Sequence, residues 1–100
     1  TIILPLTTPR LLLNENPPRK RIRLQMQPGD VDANNTGNIR IGYGFQPTGA
    51  IGTANQGEVL IPGASIDEPG ENVELSPERK KAVWAVSSVV NQSIIVEEET

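Results

Sequence analysis

The stretch RIRLQM, residues 21–26, alternates charged or polar side chains with apolar ones at every second position. Side chains of an extended segment have a period of two, so the isoleucine, leucine and methionine share one face and the two arginines share the other. This pattern predicts a strand with one buried face and one face in water. The turn signal Pro28-Gly29-Asp30 ends that strand.

A second strand of the same kind is predicted at residues 38–45, where every second residue from Ile39 onward is apolar. Gly42 and Gly44 lie on its opposite face and leave a bare strip of backbone, which suits a bulge or the close approach of another chain. Residues 46–57 then form a long loop rich in Gly, Thr, Asn and Gln. Loops of this length without regular structure are often functional.

The C-terminal half predicts further short strands, beginning at 58–61 and at 65–66. Ser76-Pro77-Glu78 carries the signals of a helix start, whereas the β-branched and aromatic residues that follow favour a strand. We therefore predict one helical turn at 77–80, followed by strands at 81–88 and 93–98. A helical segment across 76–90 is the alternative.

Residues 1–18 combine four prolines with many isoleucines and leucines. Proline fixes φ and biases the residue before it toward extended conformations, so this segment is predicted to be extended. An extended apolar segment must be covered, either as a first strand and connector on the same molecule or as an arm that reaches a neighbour. We divide the chain into an N-terminal arm, residues 1–18, and a β-sandwich domain, residues 19–100. Seven to eight short strands predict an all-β sandwich with jelly-roll or Greek-key-like connections.

Cysteine and histidine are both absent from the 100 residues. Their absence excludes disulfides, thiolate nucleophiles and histidine-based triads within one chain. Carboxylate catalysis needs a cleft that raises one carboxyl pKa, and most of the 12 acidic residues lie in polar runs. The chain is therefore expected to be non-catalytic and to need no cofactor or metal. Asp30-x-Asp32-x-Asn34 has the spacing of a calcium loop, but the glycine and glutamate that complete the pattern are missing, so a turn is predicted.

Charge is distributed unevenly along the chain. Residues 1–50 carry six basic and three acidic side chains, whereas residues 51–100 carry three and nine. If this split survives folding, copies could attract each other or a charged surface. The basic cluster at 19–23 could touch phosphates, but three aromatic residues are too few for base stacking, so nucleic-acid binding is not expected. No apolar run reaches the length of a membrane span, so no membrane partner is expected either.

Five short motifs occur in an order that resembles one family. They are Asn16-Pro17-Pro18-Arg19, Ile22-x-Leu24-x-Met26, Asn38-Ile39-x-Ile41-Gly42, Val59-Leu60-x-Pro62-Gly63, and a last hairpin from Val83-Trp84-Ala85-Val86 to Ile94-Ile95-Val96. This order is similar to that of small β-sandwich accessory proteins of tailed-bacteriophage virions, which decorate or cement the capsid. The resemblance covers about residues 16–98. It implies self-assembly as a trimer or similar homo-oligomer, with arms that contact the shell or neighbouring copies.

The predicted function is that of a non-catalytic virion structural protein, assembled in the host cytoplasm, that binds capsid or other virion proteins and stabilises the particle. The alternative is a carbohydrate-binding β-sandwich module, for which only Trp84 or Tyr43 could supply the aromatic platform. The predicted partner contacts are the apolar residues of the arm and three arginines: Ile2, Leu4, Leu6, Leu11, Leu12, Leu13, Arg19, Arg21 and Arg23.

Overall fold

A computed structural model describes residues 2–4, 8–48 and 56–100 of the chain. The described residues form eight strands and one short 3₁₀ turn at Pro77–Lys80, so the predicted all-β fold is confirmed. The strands are β1 (Ile2–Leu4), β2 (Arg10–Leu13), β3 (Arg21–Gln25), β4 (Ile39–Tyr43), β5 (Glu58–Leu60), β6 (Ser65–Glu68), β7 (Val83–Ser87) and β8 (Gln92–Glu99).

The strands lie in two antiparallel sheets of four. The first sheet has the order β1-β8-β3-β6 and the second has the order β2-β7-β4-β5. The two ends of the chain pair with each other, and each later pair moves inward along the sequence: β1 with β8, β2 with β7, β3 with β6, and β4 with β5. Each sheet therefore has one edge strand from the N-terminal segment and one from the middle of the chain.

Side chains from both sheets share one hydrophobic core. Ile22, Leu24 and Met26 are fully buried, as the period of two in residues 21–26 predicts. Ile39 and Ile41 of β4 join them from the second sheet. Burying one such side chain contributes about 2 kcal/mol of transfer free energy, so the alternation decides which face of each strand turns inward.

The N-terminal segment supplies an edge strand to each sheet. β1 pairs with β8, and β2 pairs with β7 across a register shift between Leu11 and Leu13. Leu4 is buried in the core, and Leu12 and Leu13 pack against it. Of the two alternatives for residues 1–18, the described part follows the first, a strand and connector on the same molecule. The division into an arm and a domain stays a prediction.

The structure resolves the ambiguity after Ser76. Residues 77–80 form the single helical turn that was predicted, in which the Arg79 amide donates to the carbonyl of Ser76 at 3.1 Å. β7 begins at Val83, so the helical alternative for 76–90 is wrong. β-branched residues at the start of β7 fit a pleated, half-buried strand better than a helix.

The bare strip on β4 is covered by the chain itself. The carbonyl oxygen and the ring of Phe45 lie against Gly42, where any Cβ would collide with them. The close approach predicted there is therefore intramolecular. Of the long loop predicted at 46–57, residues 49–55 lie outside the described residues.

Candidate binding surfaces

Arg19 is buried, with an exposed fraction of 1%, although it belongs to the dense basic cluster. Its guanidinium donates to the Glu98 carboxylate at 2.7 Å and to three backbone carbonyls, those of Arg79 at 2.6 Å, Lys81 at 3.1 Å and Asn14 at 2.9 Å. The planar fork of arginine suits such convergent acceptors. The side chain thus joins three segments of its own chain, and a partner contact at Arg19 stays a prediction.

Asn16 completes this arrangement. Its side chain donates to Glu98 at 3.3 Å and to the Thr100 hydroxyl at 3.2 Å, and its amide donates to the Lys80 carbonyl at 2.8 Å. Partial burial opposes ionisation of Glu98, but the hydrogen bonds from Arg19 and Asn16 outweigh it and lower the pKa of that carboxyl. The Asn-Pro-Pro-Arg motif thus joins the 79–81 segment to the C-terminal end of β8 through hydrogen bonds, an arrangement called the Arg19 clasp below.

Arg21 and Arg23 lie on the outer face of the first sheet, as the alternation predicts. Arg21 forms a two-pronged ion pair with Asp67 of β6, at 3.1 and 3.0 Å. The Arg21 hydrogen bond lowers the pKa of the Asp67 carboxyl against the opposing effect of its slight desolvation. Arg23 approaches Glu97 of β8 at 3.9 Å. Folding therefore pairs basic residues of the N-terminal half with acidic residues of the C-terminal half, so the charge split does not produce two opposite faces.

The calcium-like loop is held by hydrogen bonds within the chain. Asp32 accepts the Asn34 amide at 3.1 Å and the Ser93 hydroxyl, which gives the predicted turn. The buried side chain of Gln92 accepts the amides of residues 36 and 37, both at 2.9 Å, and donates to the Asn34 carbonyl at 2.6 Å. Buried Asn35 accepts the Ser93 amide at 2.8 Å. β8 thus fixes the loop, and Asp32 is committed to its own chain.

Tyr43 is buried and is not available as a sugar platform. The Arg79 guanidinium lies 3.9 Å from the centroid of its ring, and burial raises the pKa of the Tyr43 hydroxyl to about 12. Arg79 also donates to Glu68 at 2.9 Å and to Glu58 at 3.4 Å. Of the two predicted platform residues, Trp84 alone keeps a half-buried ring, on the outer side of β7.

β1 is an edge strand of the first sheet and β2 is an edge strand of the second, and residues 2–4 and 10–13 are called the β1/β2 edge below. The Arg10 guanidinium donates to the Ile3 carbonyl at 2.7 Å and links the two strands. Ile3 is 56% exposed and Leu11 is 37% exposed. Sequence reasoning missed Ile3, although its position between Ile2 and Leu4 at a period of two is the signal that identifies an outward side chain.

The other predicted contacts in this segment are less accessible. Leu4 is buried in the core of its own chain, and a partner contact at this residue stays a prediction. Ile2, Leu12 and Leu13 are partly buried against the same core. Leu6 lies outside the described residues. The accessible apolar surface of the edge is therefore that of Ile3 and Leu11.

The opposite ends of the sheets, residues 58–60 and 65–68, are called the β5/β6 edge. This edge carries the carboxylates of Glu58, Asp67 and Glu68. Arg79 bridges Glu58 and Glu68 across the two sheets. Charged side chains on an edge strand discourage the addition of another strand. The two edges therefore differ in charge: the β1/β2 edge carries a single arginine, whereas the β5/β6 edge carries three carboxylates around the exposed Val59.

Comparisons with protein-family models, with curated proteins and with solved structures gave no match. In the part of the chain that the structure describes, no helix has the length and apolar character needed to cross a bilayer. Within the same residues, no three acidic side chains converge as metal ligands.

Proposed function

We propose that this chain is a non-catalytic structural module that attaches to a larger protein assembly through its β1/β2 edge. The assembly proposed is the virion of a tailed bacteriophage, built in the host cytoplasm, on whose capsid the module acts as a decoration or cement-type protein. The virion assignment rests on the resemblance in motif order, and attachment through the β1/β2 edge rests on the contrast between the two edges described below.

The pairing order supports a jelly-roll β-sandwich as the architecture. In a jelly roll, one long hairpin is folded over so that its arms wrap two sheets, and the strands pair first with last, second with second-last, and so on. The pairs β1·β8, β2·β7, β3·β6 and β4·β5 follow this order. Jelly rolls occur in viral capsid proteins and also in lectins, so the architecture is compatible with both candidate functions and decides between neither.

The observation that carries the proposal is the contrast between the two edges. An edge strand presents unpaired backbone groups, and protein chains normally protect it with charges, proline or a covering loop. On the β5/β6 edge three carboxylates surround the exposed Val59, whereas the β1/β2 edge presents Ile3 and Leu11 to solvent without any carboxylate. An extended strand of a partner could add to β2 and cover Leu11, which is the recognition mode known as strand addition.

A co-sedimentation experiment with phage heads that lack the chain tests this function. We expect the unmodified chain to pellet with the heads, and Ile3→Lys and Leu11→Lys to lower the bound fraction at least tenfold. Val59→Lys and Ile61→Lys are matched controls, because these apolar residues, in β5 and directly after it, are 42% and 52% exposed. Circular dichroism establishes that all four variants fold. Equal binding by all of them, or loss in the controls alone, would contradict the proposal.

The carbohydrate-binding alternative is tested on Trp84, the single tryptophan of the chain. A sugar that stacks on this ring changes its fluorescence. The proposal predicts no change across a glycan panel at millimolar sugar. A saturable response to one glycan, lost in Trp84→Leu, would favour the alternative function.

A further inference from the structure

The outer face of the first sheet carries two parallel rows of opposite charge, called the charge ladder below. Arg21 and Arg23 form the row on β3, and Glu99 and Glu97 lie opposite them on β8. Asp67 of β6 lies opposite Arg23 on the other side. Every one of these residues except Glu99 forms an ion pair within the chain. The side chain of each paired residue is nevertheless at least 40% exposed.

The ladder is only partly neutralised within the chain. Arg21 turns toward Asp67, and Arg23 donates to Gln25 at 3.0 Å while it stays 3.9 Å from Glu97. The Glu97 side chain is 60% exposed, and Glu99 forms no ion pair with any described residue. The β8 row thus keeps negative charge, while the arginine side chains of the β3 row stay 49% and 41% exposed.

A shallow depression of about 580 Å³ lies on this face. Arginines of β3 line one side and glutamates 97–99 of β8 line the other. A surface with cations on one side and anions on the other is complementary to itself after a half turn. The occupant that this charge pattern fits is therefore a second copy of the same face.

We infer that two copies of this chain associate face to face through the charge ladder, about a two-fold axis that runs parallel to the strands between β3 and β8. Such an axis places the β3 row of each copy over the β8 row of the other. Arg23 then meets Glu97 of the second copy, and Arg21 meets Glu99 of the second copy. Each contact occurs twice, as a two-fold interface requires.

The area of the face predicts a weak, salt-dependent dimer. Four strands about 4.8 Å apart and roughly five residues long give a face of about 19 by 17 Å, so two faces bury about 650 Å² in total. This lies below the usual size of a specific interface, so we expect a weak dimer with a Kd of roughly 100 μM at 50 mM NaCl. Raising the salt to 500 mM should weaken the dimer about tenfold. At this salt concentration the Debye length falls to about 4 Å, so the charges across the interface are screened from each other.

Charge reversal separates this interface from a purely internal role of the same residues. Arg23→Glu brings two carboxylates together at the contact with Glu97 of the second copy, and Glu97→Arg brings two guanidinium groups together there. Sedimentation equilibrium should therefore find each variant monomeric at 200 μM. In an equimolar mixture, one contact of the heterodimer keeps the native pair of arginine and glutamate and the other has the two charges exchanged, so both contacts are attractive and a heterodimer should form. The internal Arg23–Glu97 pair is broken equally in both variants, and mixing cannot repair it.

The matched control is Glu71→Arg, a charge reversal on an exposed turn residue outside the ladder. This variant should dimerise like the unmodified chain.

Three results would overturn the inference: a monomer up to about 1 mM in 50 mM NaCl, a trimer, or a mixture that stays monomeric. A dimer lost in Leu11→Lys and retained in Arg23→Glu would also overturn it, because it would place the contact at the β1/β2 edge. Particle attachment is a separate property. A monomeric chain that still pellets with phage heads would leave the proposed function intact.

Discussion

Replacing Arg19 by methionine should destabilise the fold more than any other change in the basic cluster. Methionine fills the space of the buried stem but donates no hydrogen bonds. The carbonyls of residues 14, 79 and 81 then lose their donor, at about 1 kcal/mol each. Glu98 also loses its ion pair, which costs less because its side chain is 31% exposed and can rehydrate. We expect a loss of about 3 kcal/mol, at the lower end of the range for a broken buried pair.

Urea unfolding followed by Trp84 fluorescence measures this loss. With an m value of about 2 kcal/mol per M, the midpoint should fall by about 1.5 M. Arg21→Met is the matched control, because it removes a half-exposed arginine from the same cluster and should leave the midpoint nearly unchanged. Equal midpoints for Arg19→Met and Arg21→Met would show that the hydrogen bonds of the Arg19 clasp do not stabilise the fold.

The same variant should alter the dependence of stability on pH. Glu98 has a pKa below its ordinary value of 4.5 in the folded chain, so it stabilises the fold above about pH 4.5 and loses this contribution as the pH falls through the lower folded pKa. Arg19→Met removes the main hydrogen bond that lowers the pKa, so the decline of stability below about pH 4.5 should become shallower. An unchanged acid limb would mean that Arg19 does not set the pKa of Glu98.

Three further predictions concern the interior. Gly42→Ala should lower the free energy of unfolding by about 2 kcal/mol, because the added Cβ collides with Phe45. Gly70→Ala is the control and should be neutral, because no atom lies within 4 Å of its added Cβ. Equal thermal midpoints for the two variants would contradict this prediction. Gln92→Leu should accelerate deuterium exchange at the amides of residues 36 and 37, which lose their acceptor, and unchanged exchange there would show that Gln92 does not hold the loop. Tyr43, the single tyrosine, should titrate near pH 12 by ultraviolet absorbance, and because burial raises its pKa, stability should fall between pH 10 and 12; titration near 10 would contradict its burial.

Local periodicity predicted the parts of the fold that depend on neighbouring residues. The alternation at 21–26 fixed the buried and exposed faces of β3, because a period of two is a property of the chain alone. Ser76 and Pro77 predicted the turn at 77–80 because they favour a helix start, and the β-branched residues after Ala82 predicted the change to β7.

The features that the sequence left open depend on contacts between distant residues. Arg19 is charged and lies beside exposed arginines, and its burial follows only when carbonyls from residue 14 and from the 77–80 turn converge on it. Gly42 leaves a gap that Phe45 fills after the chain turns back. Gln92 is polar in sequence yet buried, because the loop after Asp32 supplies its partners.

For the candidate surfaces, too, the sequence predicted the local character, whereas contacts between distant residues decide which side chains are exposed. The apolar character of residues 2–13 was evident from composition, but the pairing with β7 and β8 decides which side chains remain exposed. Leu4 is buried by this pairing, while Ile3 and Leu11 stay accessible. The charge ladder follows from the register of β3 against β8, which composition does not contain.

Amide hydrogen exchange on the chain bound to phage heads tests the central claim most directly. If a partner strand adds to β2, the amides of Arg10–Leu13 that do not bond to β7 become hydrogen-bonded and should exchange at least tenfold more slowly than in the free chain. The amides of Glu58–Leu60, on the opposite edge, should exchange at the same rate in both states. Slower exchange confined to β5 and β6, with β2 unchanged, would contradict attachment through the β1/β2 edge.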